Sequence, residues 1–152
     1  MGFEVKILEY SAKQLAGMKV RTNMQKSAED CTKAWAAFMP RMHEVNSQPP
    51  ESFGVSVMIN ESEFDYWTAL EIAVGSTLPD GMQTVDIFAG TYAMLTVPSI
   101  EKLGEAYMHI YTDWLKANPE YALNMGSHSF ELYPGNWNPG MGFEIYMPIR
   151  KT

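Results

Sequence analysis

The segment "GSTLPDG" (residues 75–81) divides the chain into two runs that share one order of elements. Gly75, Pro79 and the Asp80-Gly81 pair stand so close together there that neither a helix nor a strand can continue. In the first run, residues 3–9 alternate Phe3, Val5 and Ile7 with Glu4 and Lys6, the period of a half-buried strand. A second strand is expected over 14–21. Ser27 is expected to cap a helix with the apolar face Cys31, Ala34, Trp35, Phe38, Met42 and Val45, which Pro40 kinks or restarts. After a polar loop at 46–51, residues 53–59 and 64–74 read as strands joined by a turn at 60–63. In the second run, 82–88 and 92–97 read as strands. Pro98-Ser99 precedes a helix with the face Leu103, Tyr107, Ile110 and Trp114, which Asn118-Pro119 ends. A last strand pair follows at 129–133 and 142–149. Each run therefore reads strand–strand–helix–strand–strand, with Ser27 and Ser99 as matching helix starts. Either run alone leaves an apolar sheet face uncovered. The expectation is one domain, 1–152, built from pseudo-repeats at about 1–75 and 82–152.

The bulk numbers narrow the function. A hydrophobic content of 46% is enough for an ordinary core. The net charge of −7 argues against direct contact with nucleic acid, which needs clustered Lys and Arg. A cationic or neutral partner fits better. The lone cysteine, Cys31, rules out an internal disulfide and reads as a buried structural thiol. No apolar run suits a signal peptide or a membrane span, so the expectation is a cytoplasmic protein without membrane contact. His43, His109 and His128 are scattered without metal-ligand spacing, so no metal and no cofactor is expected. No phosphate-binding loop, dinucleotide fingerprint or nucleophile elbow is present, and no catalytic residue is assigned on motif grounds. The twelve methionines read chiefly as core filling.

The most unusual stretch is "SHSFELYPGNWNPGMGFEIYMPI", residues 127–149. In its first strand Phe130 and Leu132 share one face, and Glu131 and Tyr133 the other. In its second strand Phe143, Ile145, Met147 and Ile149 share one face, and Glu144 and Tyr146 the other. If both apolar faces pack on the helices, two acids and two phenols line the opposite face. Buried acids are costly unless hydrogen-bonded or neutralised. A phenol can donate to a carboxylate and a ring can hold a cation, which is the chemistry of a pocket for a large organic cation. A solvated edge hairpin remains the alternative. Trp137, in the connecting loop, either lids the pocket or packs on the sheet edge.

The pattern "SFELY…GFEIYMPI" resembles the GyrI-like family, the effector-binding domain of AraC-type and multidrug-sensing transcription regulators. "AGTYAMLTVPS" and "YTDWLKANPEYAL" resemble that family's central strand-to-helix segment and helix end. The resemblance implies an α+β fold of two duplicated strand–strand–helix–strand–strand (SHS2-type) units, pseudo-two-fold related, with a groove between them. It also implies binding of drug- or dye-like aromatic cations. The family's binding acid maps onto Glu131, a second acid onto Glu144 and the position two further on onto Tyr146. Tyr133, Tyr107 and Tyr111 are further candidate lining residues, as is one of Tyr66 and Trp67, since those two project to opposite faces. The family's regulators carry a DNA-binding domain. Here the first strand begins at residue 3, so the domain is expected to stand alone or to work with a separate protein partner. Two rivals follow from the same resemblance. One is a small-molecule hydrolase with Glu131 as general base and Tyr133 or Tyr146 assisting. The other is a gyrase-inhibitor-like module that docks on a protein through its acidic surface.

Overall fold

The computed structural model describes residues 3–23, 25–45, 51–73, 75–135, 138 and 140–152. The expected loop at 46–50 and Trp137 lie outside the described residues. Among the described residues there are nine strands and two helical regions. The strands are β1 (Val5–Tyr10), β2 (Lys13–Asn23), β3 (Ser52–Met58), β4 (Glu63–Glu71), β5 (Gln83–Ile87), β6 (Gly90–Val97), β7 (Tyr121–Leu123), β8 (Ser129–Tyr133) and β9 (Phe143–Lys151). Helix α1 (Ser27–Phe38) follows β2. The second helical region runs through α2 (Leu103–Met108), a π-helical turn (His109–Trp114) and α3 (Leu115–Ala117).

Eight strands form one antiparallel sheet in the order β1-β6-β9-β8-β3-β4-β2-β5, and short β7 pairs with β9. The order reads the same from both ends once each first-half strand is matched to its second-half counterpart: β1 with β5, β2 with β6, β3 with β8, β4 with β9. That is the pattern a duplicated unit requires. The leading strands are exchanged, since β1 pairs with β6 of the second half and β5 pairs with β2 of the first. The halves meet where β3 lies against β8. The break at 75–81 is a turn bounded by Gly75 and Gly81, whose φ values of 88° and 80° suit glycine alone. Arg41 donates to the Asp80 carbonyl at 2.7 Å and ties this turn to the end of α1.

Both helical regions cover one face of the sheet. There α2 and the π turn contribute Ala106 and Ile110 to a core with Leu95, Tyr133, Phe143, Ile145, Met147 and Ile149. Helix α1 contributes Phe38 to a second core with Ala16, Leu70 and Ile72. Among the described residues the core of the other face is built from strand side chains: Leu15, Phe53, Val55, Trp67, Val85, Ile87, Tyr92, Phe130 and Tyr146 pack together. On this face Lys13 of β2 lies over the Tyr10 ring of β1 at 5.8 Å, so strands near opposite ends of the order approach each other. Phe130 and Tyr146 stack there at 4.6 Å between centroids, a contact worth about 0.5–1.5 kcal/mol beyond its buried area.

The expected helix cap is corrected by one residue. Lys26 holds the cap position and Ser27 is the first helical residue. The turn before it is organised by Asn23, whose side chain accepts the amides of Gln25 and Lys26. Glu29 and Asp30 in the first turn complement the helix dipole. Pro40 starts a 3₁₀ turn, Met39–Glu44, that continues α1. Among the described residues no helix is long and apolar enough to cross a membrane.

Candidate functional site

The site lies on the helix-covered face, at the seam between the halves. Register decides its composition. Glu131 of β8 lies opposite Gly54 of β3 on one side and Ile145 of β9 on the other. Directly opposed residues of an antiparallel pair share a face. Glu131 and Tyr133 therefore project toward the helices with Phe143 and Ile145. Glu144 opposes Leu132, and Tyr146 opposes Phe130, so these four project to the strand-only face. The expectation of two acids and two phenols on one face is thus corrected. The apolar residues of β9 pack on the helices as expected, but Phe130 and Leu132 of β8 do not. A shift of one residue in register reverses every side chain's face, and alternation within a single strand does not set register.

Glu131 is buried, with 4% relative exposure. Three phenols hold its carboxylate. Tyr66 of β4 donates to Oε1 at 2.7 Å and Tyr133 to the same oxygen at 2.6 Å. Tyr107 of α2 donates to Oε2 at 2.9 Å. No Lys, Arg or His forms an ion pair with it among the described residues. Burial raises the Glu131 pKa above its ordinary value of 4.5, and the three phenol hydrogen bonds oppose that rise. Burial first, then the charge of Glu131, pushes Tyr66 and Tyr107 well above the ordinary phenol value. Tyr133 moves the same way for the same causes. All three therefore remain protonated donors.

Two further residues complete the arrangement. Trp35 of α1 donates its indole N–H to the Tyr66 oxygen at 3.0 Å. That bond occupies an acceptor site of Tyr66 and aims its own proton at Glu131. Trp35 also meets Tyr133 edge-on at 5.3 Å. Gly54 leaves the space in which Tyr66 reaches the acid. A Cβ there would stand 2.2 Å from the Tyr66 hydroxyl and 2.7 Å from Glu131 Oε1. Sequence reasoning placed Trp35 in the core and passed over Gly54. An isolated glycine inside a strand pattern is a signal for such a close approach.

The structure brings together four of the eight candidates: Glu131, Tyr133, Tyr107 and Tyr66. Tyr66 and Trp67 do separate by face. Trp67 joins the strand-only core, with Lys19 over its ring at 5.7 Å. Tyr111, in the π turn, is 44% exposed and lies 6.5 Å from the Tyr107 ring. Glu144 and Tyr146 form their own pair across the sheet, the phenol donating to the carboxylate at 2.8 Å. Cys31 is half-buried beside the site, where burial and then the charge of Glu131 push its thiol up to about 12. Among the described residues no group of His, Cys, Asp and Glu is arranged to hold a metal ion.

This geometry sits on a fold found in several known proteins. The SAV2435 structure bound to tetraphenylphosphonium superposes with a TM-score of 0.72 at 13% identity, over 99% of this chain and 94% of that one. An integron cassette protein from the mobile metagenome of Vibrio cholerae gives 0.68 at 13% identity, over 97% of each chain. In sequence, the transcriptional regulator BrlR of Pseudomonas aeruginosa is 26% identical over 121 residues, 76% of this chain. The chain spans less than half of that regulator's length, 44%. The integron-associated effector binding protein family, Cass2, matches residues 6–149, and the chain belongs to that family.

Proposed function

We propose that the chain captures hydrophobic aromatic cations, of drug or dye type, in the groove between its helical regions, with Glu131 as the neutralising charge. One observation carries this reading: a buried carboxylate is hydrogen-bonded by phenols and has no cationic partner among the described residues. Such a group is costly to ionise until a positive charge arrives. The family's effector-binding character and the tetraphenylphosphonium held by SAV2435 support the same reading. Apolar burial would supply most of the affinity, and Glu131 the charge selectivity. Oε1 already accepts two hydrogen bonds and Oε2 one, so the open acceptor position belongs to Oε2, on the α2 side. A regulator-type module is the natural setting, given the kinship with BrlR, whether a DNA-binding segment is carried in the same chain or by a partner.

The hydrolase alternative is narrower than it was from sequence. Tyr146 is on the far face, which leaves Tyr133 to assist Glu131, and the nearby Cys31 thiol is held protonated. Docking on another protein through surface acids would leave Glu131 without a role.

The test is calorimetric titration of wild type and Glu131→Gln with tetraphenylphosphonium and with a neutral dye of similar size. The expected result is cation binding to wild type, weakened about thirtyfold or more in Glu131→Gln, as for removal of one partner from a buried charge pair. Binding to wild type should also weaken as pH falls, because protonated Glu131 offers no charge. Equal cation affinity in both proteins would reject the reading.

A further inference from the structure

We infer that the groove takes one positive charge per ligand, so that it selects compact aromatic monocations over compact dications of the same shape. This inference rests on the cation-binding reading above. Its basis is where the acids around the helices and the seam stand. None of the undescribed positions is an Asp or Glu, so every acid of the chain is in view. Glu131 is the carboxylate that the groove phenols bond, and its charge is the one that reaches Tyr66, Tyr107 and Tyr133. Glu144, the second acid of the C-terminal strand pair, faces away. It accepts from Tyr146, and its charge reaches Tyr10 on the strand-only face.

The acids nearest the helices are otherwise engaged. Asp30 keeps its charge but is turned to the Thr22 hydroxyl at 2.8 Å, and that charge reaches the Cys31 thiol rather than the three phenols around Glu131. Glu29 pairs with Lys33, Glu105 with Lys102 and Asp113 with His109, all three acids more than half exposed. The symmetric position at the seam is closed to an acid. Gly54 stands directly opposite Glu131, and the Tyr66 hydroxyl occupies the place of its side chain. A first cation drawn into the groove meets a counter-charge. A second one, fixed in the same ring system, meets none, and burying an unpaired ion is strongly unfavourable. A long dication escapes this penalty by leaving its second head in water, so the selectivity concerns compact ligands.

Three probes of one shape test it by calorimetry at pH 8: 1-methyl-4-phenylpyridinium, 1,1′-dimethyl-4,4′-bipyridinium and uncharged 4-phenylpyridine. The monocation is expected to bind about tenfold or more tighter than either of the others. If the dication binds as tightly as the monocation, and both outbind the neutral probe and are lost in Glu131→Gln, the one-charge inference falls and the cation-binding reading survives. If the neutral probe matches the monocation, or no probe binds, both fall. Tyr111→Glu gives a second check by adding an exposed acid beside Tyr107. It is expected to shift the affinity ratio toward the dication by about fivefold or more. An unchanged ratio rejects charge number as the cause.

Discussion

Short β7 apart, the two halves use the same strands and helical regions in the same order, and they differ where they touch. At the β3–β8 seam the first half supplies Gly54 and the second supplies Glu131, directly opposed. A faithful duplicate would place two acids face to face there, and like charges directly opposed destabilise a strand pair. Breaking the symmetry removes that repulsion and opens the space through which Tyr66 reaches the remaining acid. The helices diverge as well. Counted from Ser27 and Ser99, Trp35 and Tyr107 hold the same position, eight residues on. Both donate a hydrogen bond toward the seam, yet Tyr107 bonds Glu131 itself and Trp35 acts through Tyr66. The first-half helix is regular, whereas the second continues into a π turn immediately after Tyr107 and Met108. Duplication builds the paired strands of the seam, and divergence leaves one buried acid there instead of two.

The most severe way to break the comparison is to give the seam a side chain on both sides. Gly54→Ala puts a methyl group within 3 Å of both Tyr66 and Glu131. The expected loss is about 3 kcal/mol, the upper end for overpacking, because Gly54 is fixed between two paired strands. It should appear as a lowered urea midpoint with an unchanged slope. Adding Tyr66→Phe removes the nearest colliding atom, so the double variant should lose less than the sum of the two single losses. Simple additivity would mean that the seam relaxes without involving Tyr66.

Much of this arrangement was legible in the sequence, and the remainder was hidden for physical reasons. Alternation located β8 to the residue and put Glu131 with Tyr133 on one face. The repeated element order foreshadowed the palindromic sheet. Register was not legible, because alternation within β8 and within β9 is satisfied whether Glu131 opposes Glu144 or Ile145. The three-residue β7 is too short to carry a period, and it was missed. The indole proton of Trp35 meets a phenol thirty-one positions away, so nothing near Trp35 in the chain distinguishes it from core. The π turn left no recognised pattern among 109–114.

A smaller effect separates the two helix donors. Tyr107→Phe removes one of three bonds that hold Glu131 below the value burial alone would impose. The folded carboxyl titrates above its ordinary 4.5, so the stability it contributes is complete below that pH and is lost as pH rises through the folded value. For one proton the slope is at most about 1.4 kcal/mol per pH unit. Urea unfolding across pH 4–9 should show this decline in wild type and a flatter curve in Glu131→Gln. Tyr107→Phe should extend the decline to higher pH, its onset staying where the unfolded chain titrates. Where Glu131 is ionised it should cost about 1.5 kcal/mol, the low end for a bond to a charged group, since Tyr107 is half-buried. A decline that ends at unchanged pH would mean that Tyr107 does not reach the acid in solution.

The least disruptive change tests whether the first-half helix acts on the charge at all. Trp35→Phe keeps an aromatic ring against Tyr133 and Phe38 and deletes one ring of the indole with the N–H that Tyr66 accepts. A single neutral hydrogen bond at the edge of the core is worth about 0.5–1 kcal/mol. If Trp35 matters only as packing, the loss should be the same at every pH. If it aims the Tyr66 proton at Glu131, that proton becomes free to turn away and the carboxylate loses support. The unfolding curve should then shift toward higher pH in the same direction as for Tyr107→Phe, but by less. Trp35→Phe in a Tyr66→Phe background should produce no further shift, because the phenol through which the indole acts is already gone. A further shift there would assign Trp35 a route to Glu131 independent of Tyr66, and the two helices would then differ in distance from the charge rather than in kind.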